Sequence, residues 1–433
     1  FEGPVANSYN QAYNYRYADV WKISKSDIDK HVQNWNTSGY FVSDALEKWP
    51  AHGDISNGEP ANMAPYFDYD GNDFYNPDDG DYPCFKGDQA VYAIFNDERY
   101  PHFRSYGTPL GVEVHLMAYA YNTATEINNV VFFEYTIINK SSNDYSDFRA
   151  AMWLDFDLGN PYDDFVGCNP AKNLFYVYNG DSFDENSGPT SGFGQDPPAM
   201  GVKILNDSLA SFVVYQNGTG PTGDPVTSVE YHNYLNGRWK DSSAITFGGQ
   251  GYGGTTPVTH MYNGTPADTS QWSEESVANF PGDRRALGSV IPKTFNAGDS
   301  IQLNLAFIYA QGFGNDRIQN VSHLDSLADV VQVFYDTVNT TCYQPQIVPP
   351  TGIQEVSASQ IQLFPQPASD LVMIKGLGKR RLNYEIYTLD GKLVLSGTAA
   401  DQSIQTTSMH KGMYVLRLFD NQEQWITKLA VSE

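Results

Sequence analysis

Runs within residues 358–433 alternate apolar and polar side chains with a period of two, the signature of half-buried strands. Leu382, Tyr384 and Ile386 alternate, as do Leu393 and Leu395. Helices need apolar residues three and four apart, whereas a half-buried strand needs every second one. Between those runs stands Asp390-Gly391, a pair suited to a tight hairpin whose central residues need positive φ. Met413 to Leu418 and Trp425 to Val431 supply a closing pair of strands. Five to seven short strands in about 75 residues predict a small immunoglobulin-like β-sandwich.

The same residues carry a resemblance. Phe364-Pro365-Gln366-Pro367-Ala368-Ser369, Tyr387-Thr388-Leu389-Asp390-Gly391, Lys411-Gly412-Met413-Tyr414-Val415-Leu416 and the terminal Lys428-Leu429-Ala430-Val431 occur in this order. Together they resemble the type A C-terminal sorting domain of type IX secretion cargo in Bacteroidetes. Gln366 departs from that pattern, which has Asn between the two prolines. The resemblance implies the type IX secretion machinery as a partner, and an extracellular or outer-surface location. In the body, Trp49-Pro50-Ala51-His52-Gly53, Gly80-Asp81-Tyr82-Pro83, Lys86-Gly87-Asp88-Gln89, Gly111-Val112-Glu113-Val114, Asp155 to Gly167 and Gly237-Arg238-Trp239 resemble large exported proteins of that phylum. That second resemblance spans most of residues 40–345 and implies no activity.

Charge is unevenly placed. Residues 358–433 hold 8 Lys/Arg and 7 Asp/Glu, leaving 18 against 44 in residues 1–357, a net of −26. Such a body repels nucleic acid. It is suited to self-repelling solubility or to carboxylates gathered around cations. No apolar run is long enough to span a membrane. Aromatic residues make up 14% and charged residues 18%, which fits a β-rich protein with a large core, not a disordered one. A start at Phe1-Glu2-Gly3-Pro4, without a signal-like run, is expected to be a processed or trimmed one.

Three parts are expected: an acidic β-rich body over 1–344, a proline-rich linker over 345–357 and the small domain over 358–433. The fold class is all-β, with a large β-sandwich body, long loops and few helices. The spacing of Leu324, Leu327, Val331 and Val338 predicts a helix over 321–338, with Ser322 as its cap. A second helix is expected over 26–34, capped by Ser24 or Ser26. Strands are expected over 111–121, 130–138, 148–154, 174–178, 211–215 and 301–310. The run 130–138 is nearly continuous apolar and should lie between two layers. Gly, Pro, Asn, Ser and Thr dominate 181–200 and 216–300, which predicts long loops there.

Two acidic stretches point to calcium. In the first, Asp68, Asp70, Asn72, Asn76 and Asp79 fall at positions 1, 3, 5, 9 and 12 of a loop, with the Phe74 carbonyl at position 7. That is the spacing with which alternate side chains of an EF-hand-type loop face one hard cation. Asp73 stands where such loops favour Gly, and Asp79 replaces the bidentate Glu, which implies weaker binding. The second stretch leaves an apolar strand. Asp155 and Asp157 project to one side, and Asp163 or Asp164 is expected to return and close the cage. Carboxylate pairs also serve glycoside hydrolysis, but that chemistry needs two isolated groups beside a cleft.

Other catalytic patterns are missing from the sequence: no H-E-x-x-H, no G-x-S-x-G and no P-loop. The Gly-rich run 248–254 lacks the Lys-Ser/Thr of a phosphate loop. A non-enzymatic role is therefore expected. Asp-Ser/Thr-apolar triplets resemble O-glycosylation sequons of the same phylum, at Ser208, Ser300, Ser326 and Thr337. Three cysteines allow one bridge and one thiol; Cys84–Cys168 is slightly favoured because both follow acidic loops. The leading expectation is a calcium-stabilised structural or adhesive surface protein that self-associates, as in an extracellular filament. Alternatives are a carbohydrate-binding module, with Trp239 and Trp272 stacking on surface glycans, or a secreted glycoside hydrolase.

Overall fold

An eight-stranded antiparallel sheet is the spine of residues 1–346. Its order is Trp21–Ser24, Gln89–Asn96, Val112–Ala120, Val130–Asn139, Ser300–Ala310, Ala199–Ile204, Leu174–Asn179 and Asp164–Asn169. The computed structural model describes residues 1–338, 342–345, 362–376, 382–389, 391–399, 402–420 and 424–432.

Both faces of the sheet are covered. Tyr92, Tyr119, Phe132, Tyr176 and Ile308 point into a core shared with the helices Gln11–Tyr17, Lys25–Asn34 and Arg317–Val338. Val166, Phe175, Val177, Val202 and Leu305 point the other way. They meet a three-stranded antiparallel sheet of Leu209–Tyr215, Arg284–Val290 and Ala151–Phe156. Gly288 lets the two sheets approach: a Cβ there would lie 2.4 Å from the Phe175 ring. The expectation of a two-layer location for 130–138 therefore holds, with Phe132 on the helical side and Phe133 on the other.

Several boundaries differ from the sequence expectation, each for a local reason. The long helix starts earlier, at Arg317. Asp316 accepts from the Gln319 backbone N–H (2.7 Å) while the Gln319 side chain accepts from that of Asp316 (2.9 Å), a reciprocal cap. Ser322 lies inside the helix, its hydroxyl donating to the Ile318 carbonyl. Ser24 does cap Lys25–Asn34, together with Asp27. The strand expected over 148–154 is two strands, Tyr145–Phe148 and Ala151–Phe156, in different sheets. Arg284–Val290 forms a central strand inside a stretch expected to be loop.

The bridge joins Cys84 to Cys342, with Cα atoms 5.1 Å apart. This corrects the favoured Cys84–Cys168 pairing. Cys168 faces the inter-sheet core as a buried thiol, donating to the Met261 carbonyl, and is out of reach of Cys84. Cys342 is brought beside Cys84 after the long helix, where the Tyr343 N–H donates to the Phe85 carbonyl (2.7 Å).

Residues 347–433 form a second unit with its own core. A four-stranded sheet runs Leu393–Ala399, Leu382–Tyr387, Gly412–Phe419, Gln424–Val431, and a three-stranded sheet runs Gln362–Phe364, Leu371–Lys375, Ser403–Gln405. Ile386, Leu416 and Trp425 are buried in that core. The result is the expected immunoglobulin-like sandwich. Gln366 has a local task. Its side chain donates to the Lys428 carbonyl and accepts from the Ala430 N–H, fastening the Pro-Gln-Pro segment to the last strand. Apart from Pro345, the expected linker lies outside the described residues, as does Asp390.

The bridge closes a separation of 258 residues. Cross-links of long loops typically stabilise by roughly 2–5 kcal/mol. Cys342→Ser should lower the thermal midpoint by several degrees. Peptide mapping of the native chain should find Cys84 linked to Cys342, and Cys168 should react with iodoacetamide only after denaturation; a Cys168-containing bridge would contradict the fold.

Candidate functional site

Acidic side chains collect at three places in the body. The first is the connection of the short hairpin Tyr66–Phe67 and Tyr82–Pro83. Asp68 bends this loop by accepting from the backbone N–H groups of Gly71, Asn72 and Asp73. These bonds hold its carboxyl below the usual range, the Asp73 N–H contributing most. Asp73 itself takes φ +61°, a left-handed conformation that favours glycine. Asp81 is fully buried and accepts from Tyr69 N–H and Asn76 N–H, both at 2.8 Å.

Carboxylate oxygens of Asp68, Asp70 and Asp81 come within 4.8 Å of one another, a separation that one oxygen-ligated calcium can span. Asn72 sits beside them, its amide donating to Asp70 at 2.9 Å. Asn76 and Asp79 do not join the group as expected. They cap the turn Pro77–Asp79 instead, Asn76 accepting from Asp78 N–H and donating to Asp79. Phe74 is exposed, its ring stacked on His52 at 5.0 Å. Asp81, not Asp79, is the third carboxylate of the group. The clue was its position next to the strand Tyr82–Pro83, which anchors it in the core.

The second place lies at the end of the strand Ala151–Phe156. Asp155 and Asp157 do project together, but the third member is Asp283, not Asp163 or Asp164. Arg285 lies directly across the ladder from Asp155 and bridges it to Asp283, both at 3.0 Å. Burial and the charges of Asp155 and Asp283 push the Asp157 carboxyl up. Asp283 could not be found from the local motif, because it lies 126 residues further along the chain.

Asp163 and Asp164 belong to a third group, with Asp184, Glu185 and Asn179. Asp164 faces Asn179 across neighbouring strands. Both are fully buried. Asp164 accepts from the Leu158 N–H with one oxygen, but its other oxygen, Asn179 Oδ1 and Asp163 Oδ1 meet no donor. Asp184, also buried, accepts from the Asn160 and Phe193 N–H groups. Gly159, at φ +71°, is required here, since a Cβ would lie 1.8 Å from the Asp184 carboxylate. Burial pushes the Asp164 carboxyl up to about 9, the neighbouring Asp163 and Asp184 adding to it. Burial also pushes Asp163 up to about 6, with Asp184 and Glu185 adding to it. Buried acceptors of this kind are satisfied by a proton, a bound water or a metal cation.

Ser208 and Ser300 are exposed at strand ends. Ser326 and Thr337 are exposed on the long helix, their hydroxyls donating back to the Ser322 and Val333 carbonyls. Trp239 and Trp272 are buried, at 1% and 3% exposure, so neither can stack on a glycan. Each donates its indole N–H to a glycine carbonyl, Gly251 and Gly249 respectively, as part of the packing. Among the described residues, no helix is long and apolar enough to cross a membrane.

Residues 362–432 match the secretion system C-terminal sorting domain. The chain is therefore cargo of a type IX secretion system, exported to the cell surface or the extracellular space. No curated protein matches the chain. Among solved structures, a polysaccharide lyase is 7% identical with a TM-score of 0.26, over 79% of this chain and 35% of the lyase. The BSP domain of a biofilm-associated protein is 8% identical with a TM-score of 0.14, over 74% and 81% of the two chains. The chain thus spans about a third of the length of that lyase, and similarities this weak carry no argument about activity.

The raised carboxyls make a signed prediction for metal-free protein. An aspartate unfolds to a pKa of about 3.9, so between pH 4 and the folded values the native state holds protons that the unfolded chain releases. Their stabilising effect is complete below about pH 4 and is lost as pH rises through about 6 for Asp163 and about 9 for Asp164. In chelator, Asp164→Asn should flatten the decline of the thermal midpoint between pH 5 and 9 and raise the midpoint at pH 8. An unchanged slope would show that Asp164 is ionised in the native state.

Proposed function

We propose that the chain is a non-enzymatic structural or adhesive protein of the cell surface, whose acidic loops are held by calcium. The observation that carries this is the group of buried acceptors around Asp164 and Asn179, which meet no donor. A divalent cation there would satisfy them at neutral pH, and extracellular calcium is a hard cation suited to oxygen ligands. Asp68, Asp70 and Asp81, and Asp155, Asp157 and Asp283, are two further groupings with the right donor chemistry. Calcium bound at these places stiffens surface loops, which then present exposed rings such as Phe41, Phe103, Tyr106 and Phe280. Rigid exposed aromatics favour adhesive contact, because they bury much area for little conformational entropy.

Self-association into a polymer follows the same logic, with those rings covered by a neighbouring copy. Glycans attached at Ser208 or Ser300 would sit on the surface of such an assembly.

Calorimetric unfolding of the full chain tests the calcium part. Millimolar calcium should raise the midpoint well above that in chelator, and magnesium should do less. Asp164→Asn and Asp81→Asn should each remove part of the calcium increment. A midpoint indifferent to calcium would end this reading. Negative-stain imaging of cell-surface material, with calcium present, should show ordered assemblies; monomers alone would remove the polymer while leaving the adhesive role.

A further inference from the structure

The geometry points to a binding pocket for a neutral glycan on the outer face of the three-stranded sheet, with Trp153 as its stacking platform. This goes beyond the surface role proposed above, since it names a ligand class and the side chains that take it.

Ladder register places the pocket. Trp153 lies opposite Leu287, Asp155 opposite Arg285, and Arg285 opposite Tyr215. Directly opposed residues project to the same side of a sheet, so Trp153, Arg285 and Tyr215 share one face. The segment around Asp224 and the helix Ser228–Leu235, through Tyr231, build the facing wall. The loop bearing Arg104 closes one side, tied to that helix by the Ser228 N–H donating to the Ser105 carbonyl at 2.8 Å. The pocket has a volume of about 610 Å³. Small-ligand sites commonly fall between about 300 and 1,000 Å³.

The lining suits a sugar ring. Of the seven tryptophans, Trp153 alone is exposed, at 47%. It is nevertheless fixed, because its indole N–H donates to the buried Tyr215 hydroxyl at 2.6 Å. The negative face of an indole attracts the polarised C–H face of a pyranose, and a fixed platform loses little freedom on binding.

Charge selects a neutral ligand. Arg285 is spent on Asp155 and Asp283. That leaves the exposed Arg104, which has no ion pair among the described residues, as donor. Asp224 balances it as acceptor; one of its oxygens takes the Gly218 N–H. Each sugar hydroxyl both donates and accepts, so a donor and an acceptor beside an aromatic face match a polyol. An acidic glycan would be opposed by the −26 body.

The test uses the full chain against immobilised cellohexaose, mannohexaose, xylohexaose and oligogalacturonate, followed by calorimetric titration of any binder. At least one neutral hexasaccharide should bind. Trp153→Ala should weaken it at least 10-fold and Trp153→Phe less. Arg104→Ala, on an exposed loop, should weaken it severalfold with an unchanged thermal midpoint. Phe313→Ala, exposed and outside the pocket lining, should bind normally. The inference is overturned if no neutral oligosaccharide binds at millimolar concentration, if only oligogalacturonate binds, or if Trp153→Ala and Arg104→Ala both bind as the parent does.

Discussion

Phe132 and Phe133 are neighbours in sequence and belong to different cores. Their strand, Val130–Asn139, lies within a sheet that is buried on both faces, and the rest of the body depends on that two-sided burial. Helices seal one face and a second sheet seals the other. Neither cover could form alone: the three-stranded sheet needs Phe175 and Val177 beneath it, and the long helix needs the face bearing Tyr176 and Ile308. Burying an apolar side chain contributes about 1.5–3 kcal/mol, so the stability of the surface loops is borrowed from this stack.

The acidic groups sit at the ends of this stack, not along it. Asp81 adjoins a short hairpin, Asp155 ends a strand of the smaller sheet, and Asp164 begins the edge strand of the larger one. Strand ends are where backbone donors run out and side chains converge. Asp81, Asp164 and Asp184 are held there by backbone N–H groups, against the repulsion of neighbouring carboxylates. The Asp155–Arg285–Asp283 bridge resolves that repulsion internally. The Asp163–Asp164–Asn179 group does not, and there burial and mutual repulsion push both carboxyls up.

Periodicity made much of the fold legible. The alternation in residues 382–395, the apolar run from Val130, and the 3–4 spacing of Leu324, Leu327 and Val331 all describe faces that a chain shows locally. Failures came where a partner distant in sequence decides. Arg284–Val290 reads as part of a glycine-rich loop, yet its glycine exists to admit Phe175. Trp239 and Trp272 are large and polar-edged, but nothing local says that a long loop folds over them. Asp283 and Cys342 became visible only when strand pairing and the return of the long helix brought them beside Asp155 and Cys84.

By itself the amino-acid sequence determined the β character of the chain, the identity of its terminal sorting domain and the presence of dense carboxylate clusters. These are properties of local pattern, since alternation, turn chemistry and motif order are carried by adjacent residues. Tertiary structure alone decided which carboxylates meet, which cysteine is bridged and which tryptophan faces solvent. Each of those depends on the register of strands far apart in the chain, and register is set by the burial of whole faces at once.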